Sequence, residues 1–183
     1  AHKIYGPKGV GALYVRKGIG IESFLHGGGQ ERGKRSGTEN VSGIYGFGKA
    51  CELLSNMEKD NERILSYRET LSDSILKNID GTYINGDIDN RVCNTLNIGF
   101  KDTNGESLVM NLDLEGVAAS TGSACSEGNV DPSHVLLAMG LDIEDAVCSL
   151  RISLGRFTTD EEVQNFIKVL PSVVERIRSL KEF

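Results

Sequence analysis

Between residues 40 and 79 the apolar positions Leu53, Leu54, Met57, Ile64, Leu65, Leu71, Ile75 and Ile79 recur at mostly helical spacing, with charged residues between them. A stripe of this kind buries one side of a helix and leaves the other hydrated, which predicts one or two long amphipathic helices. Past Asp80-Gly81 the period drops to two. Leu96, Ile98 and Phe100 share one face and Asn97 lies on the other, as in a half-buried strand. A second strand is predicted over Leu150-Arg151-Ile152-Ser153-Leu154. Thr159, three residues before Glu162, predicts a capping box, and Val163, Phe166, Ile167, Leu170, Val173, Val174 and Ile177 form the stripe of a terminal helix. Pro171 lacks an N–H and crowds the preceding turn, so it is expected to kink or break that helix. Near the start, Tyr5-Gly6-Pro7-Lys8-Gly9 predicts a turn, Gly11 to Arg16 a short strand, and Lys17 to Gly37 a loop.

Strands and helices mixed without an internal repeat predict an α/β architecture, with an α+β small domain. Residues 81–183 are expected to form that small C-terminal domain, residues 41–80 connecting helices, and residues 1–40 the edge of another domain. The chain opens on Ala1-His2-Lys3 with neither a methionine nor a signal-like start, and is expected to be internal sequence of something longer.

At 183 residues and 39% hydrophobic content the chain has enough apolar material for a core. Its net charge of −6 offers no basic excess to displace counterions from a nucleic acid. No apolar run reaches membrane-spanning length. Cys51, Cys93, Cys125 and Cys148 lack the paired spacing of a metal site and the density of a disulfide scaffold, so no metal is expected, and reduced thiols in the cytoplasm are.

Ten of the 22 glycines fall within the first 37 residues, marking a region of tight turns or close backbone approach. Thr121-Gly122-Ser123-Ala124-Cys125-Ser126-Glu127-Gly128 places one thiol in a small, polar, glycine-bounded stretch, whereas Cys51, Cys93 and Cys148 sit beside apolar helix or strand positions and read as small buried hydrophobes. His2-Lys3 precedes the glycine-proline turn; taken alone, the lysine is as ordinary as any solvated one. Arg35-Ser36-Gly37-Thr38-Glu39-Asn40 joins a cation, hydroxyls and a glycine just ahead of a helix, which suits either an oxyanion or a plain N-cap. Arg151 is either a bidentate carboxylate clamp or the outward residue of an amphipathic strand.

Four segments in this order, His2 to Gly9, Gly27 to Thr38, Ser120 to Ser126 and Arg151 to Thr158, resemble the NifS/IscS-like group of cysteine desulfurases, within the class-V aminotransferases. The resemblance implies the C-terminal half of a type I pyridoxal-phosphate fold, with residues 1 to about 40 ending its large domain. It implies that Lys3 binds pyridoxal 5'-phosphate covalently and moves the substrate α-proton, and that His2 and Thr38 hold the cofactor phosphate, Thr38 across a homodimer interface. It also implies that Arg151 binds the carboxylate of L-cysteine and that Cys125 is the catalytic sulfur acceptor. The products are then alanine and a persulfide for an acceptor protein, such as an iron–sulfur scaffold.

The family's first half, with the ring that stacks on the cofactor and the acid that pairs with its pyridine nitrogen, is absent from this sequence. The chain alone is therefore expected to bind the cofactor weakly or not at all and to be inactive. Glu127 departs from the small residue common in relatives, and its carboxylate is expected to raise the neighbouring thiol's pKa. Two other readings are a related class-V aminotransferase, which needs no thiol, and a cofactor-free sulfur-relay or partner-docking module. Residues 121–129, poor in apolar side chains and bounded by glycines, are expected to form a mobile arm.

Overall fold

The structure, a computed structural model, describes residues 1–122 and 132–180. The chain divides into two compact units, residues 1–58 and 59–183.

In the first unit a 3₁₀ turn over His2–Ile4 is followed by irregular chain, a second 3₁₀ turn over Gln30–Gly33, and helix α1, Val41–Glu52. Asn40 caps α1, its Oδ1 accepting from the Gly43 N–H at 3.1 Å. The strand expected over Gly11 to Arg16 does not form. No strand lies beside it among the described residues, and Leu13 and Tyr14 stand exposed, so neither a hydrogen-bond ladder nor burial holds it extended. A 3₁₀ turn over Leu53–Asn56 then leads into α2, Met57–Asn78, so the helical stretch is shared between the units.

The second unit is built on a three-stranded antiparallel sheet in the order β1 (Thr82–Ile84), β2 (Thr95–Phe100), β3 (Ser149–Ser153). The register sets Ile84 opposite Ile98, Leu96 opposite Ile152 and Asn97 opposite Arg151. Alternation then sorts the side chains. Leu96, Ile98, Phe100, Leu150 and Ile152 face a core completed by Leu71 and Ile75 of α2, Leu108 and Leu112 of α3 (Gly105–Leu114), and the stripe of α6 (Asp160–Ser179). Two short helices, α4 (His134–Ala138) and α5 (Ile143–Val147), lead back into β3. None of the helices is long and apolar enough to cross a membrane.

The expected capping box of α6 is present: Glu162 N–H donates to Thr159 Oγ1 at 3.2 Å and Thr159 N–H to the Glu162 carboxylate at 2.9 Å. Pro171 does not end this helix, which runs unbroken to Ser179. Leu170, Val173 and Val174, on both sides of the proline, are at most 1% exposed. Their shared burial outweighs the roughly 3 kcal/mol an interior proline costs. Arg63 on α2 donates to the carbonyls of Arg156 and Thr158, each at 2.7 Å, and so ties the loop after β3 to the helix.

The opposite face of the sheet is polar. The Tyr83 ring lies across Gly99, and its hydroxyl donates to Asp145 Oδ1 at 2.6 Å with Cys148 Sγ 3.4 Å away. Asn85 Nδ2 donates to Asn97 Oδ1 at 2.6 Å and to Ser149 Oγ at 2.8 Å, and Ser149 Oγ donates to the Asp145 carbonyl at 2.7 Å. Burial first, then the hydrogen bond to Asp145, pushes the Tyr83 phenol well above its ordinary value.

Two tests follow from this packing. Leu150→Ala removes a side chain with no exposed surface, and urea denaturation is expected to show a loss of about 2–5 kcal/mol. Because the folded state keeps the Tyr83 proton to higher pH than the unfolded state, stability falls as pH rises beyond the ordinary phenol range near 10. Tyr83→Phe should remove that component of alkaline destabilisation, seen as a flatter dependence of the thermal midpoint on pH above about 10.

Candidate functional site

The polar face of the sheet continues past β3. Ser120, outside the named strands, pairs with Arg151 in an isolated antiparallel bridge, with Arg151 N–H donating to Ser120 O at 2.6 Å and Ser120 N–H to Arg151 O at 3.3 Å. Both backbone groups of Arg151 are thus spent on Ser120. Its pairing with Asn97 on the other side is then of the non-hydrogen-bonded kind, in which facing side chains come closest. Asn97, Arg151 and Ser120 stand abreast on the polar face, with Arg151 exposed.

Arg151 leans toward the Ser120 side. Its Nη2 lies 3.5 Å from Ser120 Oγ, and the same oxygen accepts from Gly122 N–H at 3.1 Å. A Cβ built on Gly122 would sit 3.8–4.0 Å from Nη1, Cβ and Cδ of Arg151, so the side chain runs along this turn. Gly122 has a φ of 82°, the left-handed region that glycine enters without strain. The turn is held from its other side by α3. At Gly105 an added Cβ would meet Ser149 O at 2.6 Å and Thr121 Cγ2 at 3.1 Å, so only a glycine lets the start of α3 approach this closely. Sequence reading took Ser120 only as the first residue of a matching segment, with no role of its own, and passed over Gly105. The glycine after the Asn104 cap was the available signal, since Asn104 Oδ1 accepts from the Glu106 and Ser107 N–H groups and fixes where α3 begins.

Cys125 follows Gly122 by three residues and lies outside the described residues, as does Glu127. Of the arm expected over 121–129, only Thr121 and Gly122 are described. Among the other cysteines, Cys148 is buried as expected, Cys93 is half-buried with Sγ 3.5 Å from Asn61 Oδ1, and Cys51 is exposed. Cys51 falls on the outer side of α1, where the apolar spacing around it gives no burial.

His2, Lys3 and Thr38 all belong to the first unit, and all are exposed. The His2–Ile4 turn is closed by the Ala1 carbonyl, which accepts from the Ile4 and Gly6 N–H groups, each at 3.0 Å. The terminal amine donates to Val10 O at 2.8 Å. Pro7 lies against Gly46 of α1. Thr38 follows a knotted stretch: Ser36 Oγ donates to Gly28 O at 2.7 Å, and Gly37 N–H to Gln30 Oε1 at 3.1 Å. Glu31 and Arg32 hold positive φ values of 49° and 58° without being glycines. Such backbone is costly and persists only where its surroundings determine it. Singly, an imidazole or a hydroxyl can hold a phosphate oxygen, and a primary amine can form a covalent bond with an aldehyde carbon.

The chain is similar to known proteins along its whole length. A cysteine desulfurase IscS of Dictyoglomus turgidum is 48% identical over 184 residues, covering 100% of this chain and 47% of that protein. An IscS of Archaeoglobus fulgidus is 48% identical over 181 residues, covering 98% and 47%. The chain spans about half the length of the curated relatives it matches. Among solved structures, a NifS-like protein superposes with a TM-score of 0.82 at 36% identity, over 100% of this chain and 45% of its own. A NifS-like protein from Rickettsia africae gives 0.76 at 32% identity, over 86% and 41%. The family model for aminotransferase class-V matches residues 1–166, a span that takes in the first unit, most of the second and the whole Ser120–Arg151 row. With the fold and most of its length in agreement, the chain is a member of the class-V aminotransferase family.

Proposed function

We propose that this chain carries the C-terminal part of a pyridoxal-phosphate-dependent cysteine desulfurase, which converts L-cysteine to L-alanine and leaves the sulfur as a persulfide on Cys125. The observation that supports the reading is the Ser120–Arg151 bridge: Arg151, which in this reading binds the substrate carboxylate, runs past Gly122, three residues before Cys125. Three residues of chain span at most about 11 Å, which bounds the separation of the Gly122 and Cys125 Cα atoms in any arrangement.

Lys3 holds the cofactor and moves the substrate α-proton, and His2 and Thr38 bind the cofactor phosphate, Thr38 across the interface of a homodimer. When bound, pyridoxal phosphate supplies an electron sink that weakens the substrate's C–S bond. Arg151 orients the substrate by a bidentate grip on its carboxylate. The Cys125 thiolate then attacks the substrate sulfur. One S–S bond forms and the C–S bond breaks with its electron pair going to carbon, which takes a proton to become alanine. A cytoplasmic acceptor, of which an iron–sulfur scaffold is one kind, afterwards removes the terminal sulfur. The reading favours a desulfurase over an aminotransferase because a transamination gives Cys125 nothing to do, and the names of the relatives point the same way.

The full-length enzyme offers the test. Cys125→Ala is expected to abolish persulfide formation, read by mass spectrometry after incubation with L-cysteine, while substrate still binds. Arg151→Ala is expected to raise KM for L-cysteine by roughly 10- to 100-fold, as the loss of a charge-assisted contact to a carboxylate should. Normal sulfide release by the Cys125 variant would remove the thiol from the mechanism.

A further inference from the structure

Resting on the proposed role of Arg151 as the carboxylate clamp, we infer that Ser120 is a positioning residue of that clamp: its hydroxyl oxygen holds the guanidinium in the attitude that receives the substrate carboxylate.

An arginine on a strand surface has four rotatable bonds, and fixing them at the moment of binding subtracts from affinity. Here much of that ordering is present beforehand. The backbone bridge forces the Ser120 side chain onto the same face as Arg151 and next to it. Ser120 Oγ then lies 3.5 Å from Nη2, while Gly122 N–H, at 3.1 Å from the same oxygen, keeps the hydroxyl from turning away. Gly122 presents no side chain, so Nη1, Cβ and Cδ of Arg151 run past it at ordinary contact distance from where a Cβ would be. One edge of the guanidinium is thereby occupied and the rest is left for a carboxylate. With both oxygen lone-pair directions engaged by N–H donors, the Ser120 hydroxyl hydrogen is also free to donate to an anion bound at Arg151.

The row has a second polarity cue. Ser149 Oγ gives its proton to Asp145 O and so accepts from Asn85 Nδ2, which leaves Asn97 to present Oδ1 to Asn85 and its own amide hydrogens elsewhere. Asn97 faces Arg151 across the ladder with its oxygen turned to Asn85, and no carboxylate is hydrogen-bonded to Arg151 among the described residues.

Ser120→Ala removes the hydroxyl and keeps the backbone bridge, so the fold is retained. In the full-length enzyme loaded with pyridoxal phosphate, this variant is expected to raise KM for L-cysteine about three- to tenfold, the penalty of ordering one free arginine, with kcat within about twofold. Calorimetry with L-alanine, which bears the same carboxylate and no thiol, should show the dissociation constant rising in parallel. Ser120→Thr, which restores the oxygen, should return both values to normal. In an Arg151→Ala background, Ser120→Ala should add nothing further, because the two residues act through one contact. If Arg151→Ala weakens L-alanine binding and Ser120→Ala does not, the positioning role falls and the clamp assignment stands. If Arg151→Ala itself leaves L-alanine binding unchanged, the clamp assignment falls and this inference with it. A Ser120→Ala effect that persists undiminished without Arg151 would also overturn the inference, by showing that the serine acts alone.

Discussion

The antiparallel pairing of β2 with β3 is the constraint on which the second unit turns. It places Leu96, Ile98, Leu150 and Ile152 on one side, against α2, α3 and α6, and Asn97 and Arg151 on the other. Since the side-chain period of a strand is two, a slip of one residue would drive Arg151 into the apolar core and expose Leu150 and Ile152. The cost of burying an unpaired guanidinium makes that slip prohibitive. The packing that stabilises the fold is thus the same packing that holds the cation at the surface, and the site needs no separate device to aim it outward.

Most of that was legible in the residues. The period-two runs marked β2 and β3, and the helical stripes marked α2 and α6, because burial imposes a periodicity that a single sequence displays. What was not legible depended on distant partners. β1 is only three residues long and is defined by its pairing with β2. The apparent strand over Gly11 to Arg16 had the right residue types and found no neighbouring strand among the described residues. Pro171 obeyed its local rule less than the core on either side of it, a tertiary term that local reading does not contain.

For the site, individual side chains were ambiguous and their order along the chain was not. Lys3 and Thr38 are exposed residues with ordinary local roles open to them, and the helix start after Thr38 is indeed capped by Asn40. Arg151 does point outward from an amphipathic strand, as its plainer reading had it. The bridge from Arg151 to Ser120 could not be read there, since a contact across 31 residues leaves no mark in local spacing.

The uneven exposure of the cysteines bears on how this protein can be labelled. Cys148 is sequestered under Tyr83, and Cys93 is half-covered beside Asn61, but Cys51 stands open on α1. An alkylating probe or a maleimide dye would therefore reach Cys51 ahead of Cys93 and Cys148. Cys51→Ser would take that helix-surface thiol out of any thiol count.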